Sequence, residues 1–137
     1  MNKFLGIALI VLALGIGIVP HYTDCLSQGD TVTLANGKTQ PMKCHWTAQG
    51  EIAVALPLGV LGIVTLASKR KSSLRGAGVM GIALGAVALA LPLNLVGTCA
   101  MPTHICNTAM KPAILALGSV SILGSLGIIL AAQKAKS

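Results

Sequence analysis

Two short polar stretches hold most of the residues in this chain that could do chemistry. The first reads "MKCHWTAQGE" from Met42 to Glu51, and the second "CAMPTHICNTAM" from Cys99 to Met110. Met42 and His45 in one, with Met101 and His104 in the other, pair thioether sulfur with imidazole. That ligand class suits monovalent copper, and haem iron is a further candidate. His21 offers a third imidazole. Zinc fits poorly, because no Cys-x-x-Cys or His-x-x-x-His pair is present. Asp24, Asp30 and Glu51 are the only carboxylates, and no serine sits in a recognisable motif with a base. The expectation is a protein that is not an enzyme.

The elements that must position these stretches are set by composition. The chain has 137 residues, enough for one domain. Apolar residues make up 54% of it and charged residues 9%, whereas a soluble domain carries about 25% charged residues. Lipid must therefore be its solvent. Aromatic content of 2% with 16 glycines favours closely packed helices over a membrane barrel with aromatic girdles. Four uncharged apolar runs, at about 4–19, 52–68, 76–96 and 112–132, are read as transmembrane helices. Outer loops are then 20–51 and 97–111, and a cytoplasmic loop is 69–75. The first run lacks a small-x-small cleavage site and is read as a retained helix.

Orientation follows from the cations. Lys3, Lys69, Arg70, Lys71, Arg75, Lys134 and Lys136 fall on the side of the termini, and Lys38, Lys43 and Lys111 on the other. The positive-inside rule places both termini in the cytoplasm of a bacterial plasma membrane. Basic residues beside spans, without interleaved aromatics, match anionic headgroups and not nucleic acid.

All four cysteines then lie on the oxidising side, and an even number there reads as two disulfides. Four cysteines allow three pairings. An internal comparison favours one. "VPHYTDC" and "LVGTC" end the first and third helices, while "CHWTAQ" and "CNTAM" enter the second and fourth. A duplicated helical hairpin makes Cys25–Cys44 and Cys99–Cys106 equivalent bridges. A thiol–disulfide redox role is another reading of the same cysteines, but no Cys-x-x-Cys is present to tune a thiolate and no arginine lies outside.

"TVTLANGKT" (Thr31 to Thr39) alternates β-branched residues and ends in Asn36-Gly37, the signature of a short β-ribbon within the stapled cap. Trp46 is expected at the membrane interface. Glu51 is expected at the start of the second helix, satisfying free amides. Gly81 with Gly85, and Ser121 with Ser125, are small-xxx-small pairs that let helices pack closely. Pro57 and Pro92, each in an "ALPL" segment, are expected to bend their helices.

Taken together, Met42-Lys43-Cys44-His45, Glu51 and the Cys99/Cys106 loop resemble a bacterial family of small four-helix membrane proteins, domain-of-unknown-function family 4418. The resemblance covers nearly the whole chain, with Gly50-Glu51 standing where the common form has Ala-Glu. It implies a companion of ABC-type export permeases. The functional expectation is an accessory or assembly subunit of a membrane transport complex, held in lipid and packed by its small-residue faces and outer cap against a larger membrane protein or a second copy. Copper or haem binding, and thiol–disulfide exchange, are the alternatives.

Overall fold

The computed structural model describes residues 2–24, 29, 31–41, 43–98 and 102–134. Four helices dominate it: α1 (Asn2–Thr23), α2 (Lys43–Ala67), α3 (Lys71–Ala90) and α4 (Lys111–Lys134). All four are long and apolar enough to cross a membrane. Helices suit that solvent because each backbone donor finds its acceptor within the same segment. The chain is a multi-pass membrane protein in contact with lipid.

The helices form a closed ring. α1 packs most extensively on α2, and α3 on α4, while the α1–α4 and α2–α3 seams complete the bundle. Its core runs along the axis through Leu9, Ile16, Leu58, Ile114 and Ile128, all essentially inaccessible. Phe4, Val11, Leu14, Leu56, Val60, Leu123 and Leu130 point outward instead, as expected where lipid, not water, covers the surface.

Small residues set how closely the helices approach. A Cβ on Gly81 would collide with Ser125 Oγ, and one on Gly85 would come 2.8 Å from Ile122 Cγ1. Ser121 and Ser125 are buried, and Ser121 Oγ donates to the Leu117 carbonyl at 2.8 Å. These four residues therefore lie inside the chain's own α3–α4 seam, and they are not available to dock a larger protein. The α1–α2 seam uses the same device with residues outside the two small-xxx-small pairs. A Cβ on Gly62 would come 2.6 Å from Ile10 Cγ1 and 3.0 Å from the Gly6 carbonyl oxygen.

Element ends differ from the apolar runs. α2 begins at Lys43 and not near residue 52, so Cys44, His45, Trp46 and Thr47 are helical. α1 continues through Pro20 to Thr23, where Thr23 Oγ1 donates to the Val19 carbonyl at 2.7 Å. The turn between α2 and α3 is only residues 68–70. α2 runs unbroken past Pro57, which is exposed.

Pro92 acts differently, at the start of a π-helical turn (Leu91–Leu95) that closes α3. A second π-helical turn (Cys106–Met110) leads into α4. Between α1 and α2, strands β1 (Thr31–Thr33) and β2 (Thr39–Pro41) pair antiparallel, with Thr33 opposite Thr39. Gly37 takes φ +80° in the turn and the Leu34 amide donates to the Lys38 carbonyl at 2.8 Å. A hairpin this short is marginal by itself.

Candidate functional site at the loop end of the bundle

The polar residues gather where α1 ends, α2 begins and the two π-helical turns meet the bundle. Asp24 follows the last turn of α1, and its amide donates to the Pro20 carbonyl at 3.0 Å. Its carboxylate accepts a hydrogen bond from His45 Nδ1 at 2.9 Å. The pair is shielded, with side-chain exposures of 17% for His45 and 9% for Asp24. The His45 ring also meets Trp46 edge-on, centroids 5.7 Å apart. His45 thus ties two helix ends together, and one of its nitrogens is committed to Asp24.

Thr47, one turn further along α2, donates from Oγ1 to the Gly97 carbonyl at 2.7 Å. Gly97 has φ +80°, which an L side chain would resist, and this lets the chain leave α3 beside α2. Thr98 Oγ1 donates to Asn107 Oδ1 at 2.6 Å, binding that exit to the turn before α4. The His104 carbonyl accepts from the amides of Asn107 and Thr108 at 3.0 and 3.1 Å. Asp24, Thr47, Thr98 and Asn107 were not foreseen as site residues. Only Asp24 had an advance signal, as a carboxylate beside Cys25 in the same outer loop as His45.

The cysteines do not behave as two equal staples. Cys44 is buried and disulfide-bonded, its partner lying outside the described residues. Cys106 is a thiol, fully buried, with Sγ 3.7 Å from the Thr23 carbonyl oxygen. The expected Cys99–Cys106 bridge is therefore not formed. The reason is directional: the π-helical turn points Cys106 into the core against the end of α1. Cys25 and Cys99 lie outside the described residues, as do Met42 and Met101 of the copper or haem set. Among the described residues, no three His, Cys, Asp or Glu side chains are grouped to hold a metal ion.

Glu51 also departs from expectation. It lies about two turns inside α2, so it cannot satisfy the helix's first amides. Its exposure is 0%, and neither carboxylate oxygen has a hydrogen-bond partner among the described residues. Trp46, by contrast, is 59% exposed on the outside of the same helix.

Comparison with known families meets this architecture directly. The model of the domain of unknown function DUF4418 matches residues 7–131, from within α1 to near the end of α4 and including the loop end. The chain belongs to the DUF4418 family. No curated protein and no solved structure matches this DUF4418 chain. For a DUF4418 protein with this arrangement, the loop end is a tightly tied junction of four helices around a buried carboxylate.

Proposed function

We propose that this DUF4418 protein is a non-enzymatic accessory or assembly subunit of a membrane transport complex, of the ABC-type exporter class. One observation supports this reading most. α1 and α2 leave between them an apolar groove of about 620 Å³ on the outside of the bundle. Ala13, Gly17, Ala55 and Gly59 line it with small side chains, while Leu14 and Leu56 stand beside it. A groove floored by small residues is the shape that accepts a neighbouring transmembrane helix.

The finer features extend the same reading. Seven cations on the side of the termini against three on the loop side support cytoplasmic termini in a bacterial plasma membrane. The disulfide of Cys44, with the Asp24–His45 tie, supports a rigid cap on the opposite side. The pairing of helices as α1–α2 and α3–α4 accords with a duplicated hairpin.

A photo-crosslinking residue placed at Leu56 in native membranes tests the accessory role. A crosslink to a transmembrane helix of an ABC-type permease, lost when Leu14→Trp blocks the groove, is the expected result. Adducts with lipid alone, or with a second copy of the chain, would remove the reading.

A further inference from the structure

Glu51 is the single glutamate of the chain, since the three acidic residues are Asp24, Asp30 and Glu51. A bare carboxylate is among the costliest groups to leave inside a protein, and in a membrane helix it marks a functional site by default. Its surroundings can be read from the packing register. In the α1–α2 seam, Gly17 lies against Ala55 and Gly59 against Ala13. One helical turn further toward the loops, the same register brings Pro20 and His21 level with Glu51. On the other flank, Gly50 packs on the Leu91 side chain, and Val54 clusters with Ala88 and Leu91. Glu51 is therefore level with Pro20 of α1 and with Pro92, the neighbour of Leu91.

Both prolines are fully buried. A proline has no N–H, so Pro20 withholds the usual donor from the Ile16 carbonyl, and Pro92 withholds it from the Ala88 carbonyl. At Pro92 the helix also opens into its π-helical turn, a geometry frequent at functional sites. This layer thus holds a buried carboxylate and borders two carbonyls that each lack the donor a continuous α-helix would supply. All three are acceptors. A positive charge would complete the layer, and one carboxylate sets that charge at one. Carbonyls of interrupted membrane helices are suited to coordinate such ions.

We propose that Glu51, with the carbonyls of Ile16 and Ala88, binds one exchangeable positive charge, delivered as an alkali-metal ion or as a proton. Among the described residues, the charged and titratable groups nearby do not supply it. From α1 come the exposed His21 and Tyr22, and just after it Asp24, which holds the α2 residue His45. The segment 76–96 of α3 and its π-helical turn contributes no ionisable side chain, nor does β2. Cys106 lies against Thr23, and Lys111 stands at the start of α4 with no bond to either Glu51 oxygen. The site belongs to this chain alone, so it does not depend on the accessory-subunit reading.

The single glutamate makes the test direct. Glutamate labelled with carbon-13 at its carboxyl reports Glu51 alone in the purified full-length protein in lipid nanodiscs. Sodium or potassium chloride is titrated against choline chloride at constant ionic strength, and pH is varied separately from about 5 to 9. A saturable change of the carboxyl signal with alkali ion, absent with choline, identifies the metal ion. A change with pH that ignores the alkali ion identifies the proton. A signal unmoved by both overturns the proposal and leaves Glu51 a locked structural group. Pro20→Ala and Pro92→Ala each restore a backbone donor and are expected to weaken the response about tenfold, as for one lost contact to a charge. Unchanged affinity in both variants would remove the two carbonyls from the site. These measurements use the wild-type glutamate, so they stand even if Glu51→Gln does not fold.

Discussion

His45 illustrates what one residue does when read alone and when read in place. As part of a methionine, cysteine and histidine cluster, it suggested copper or haem. In the bundle it donates to Asp24, fastening the end of α1 to the start of α2. A shielded charge-assisted hydrogen bond of this kind contributes about 1.5–3 kcal/mol. His45→Ala and Asp24→Asn are each expected to destabilise the protein by about that amount, and the double variant by clearly less than the sum. Unfolding in detergent, followed by helical circular dichroism, measures the cycle; additive losses would mean that the two side chains do not cooperate. The reading of Cys106 as a bridge to Cys99 failed for a related reason. An even count on one side of a membrane predicts bridges, but only direction decides which thiols meet. Cys106 is aimed at the Thr23 carbonyl by a π-helical turn that has no sequence signature of its own. Glu51 was visible as a carboxylate near a helix start. Its burial was not, because the apolar run located the start of α2 about two turns too late.

At the scale of elements, hydropathy located all four helices and misjudged their ends. Apolar runs report contact with lipid, whereas a helix persists as long as its backbone bonds are satisfied. Lys43 to Gln49 is therefore helical although it is polar. The Asn36-Gly37 turn was legible because glycine alone accepts its φ of +80° readily. The seams were half legible: the glycine and serine pairs of α3 and α4 were identified, but their partners proved to be each other. Two glycines give opposite predictions. Gly62→Leu drives a side chain into Ile10 and the Gly6 backbone, and should cost about 3 kcal/mol or more through overpacking. Gly124 faces open space, so Gly124→Ala should be neutral or stabilise by up to about 1 kcal/mol. Thermal unfolding of the two variants side by side checks this, and equal effects would show that the seam is not tightly packed.

For the whole molecule, composition alone was sufficient to identify a helical membrane protein, and its most distinctive residues pointed to the family to which it belongs. What composition does not carry is the order of strength among the seams. The two hairpins are each well joined, and the contacts between them are less extensive. Within the described residues, their covalent connection is the three-residue turn 68–70. The protein should therefore survive being made in two pieces. Fragments 1–69 and 70–137, synthesised separately in one cell, are expected to reassemble into a bundle that purifies as a pair. Failure to copurify would mean that the turn holds the halves together where packing does not. The split also turns the disulfide of Cys44 into a readable label. On a gel run without reductant, a bond to Cys25 would leave the two pieces free to separate, whereas a bond to Cys99 would keep them as a single band.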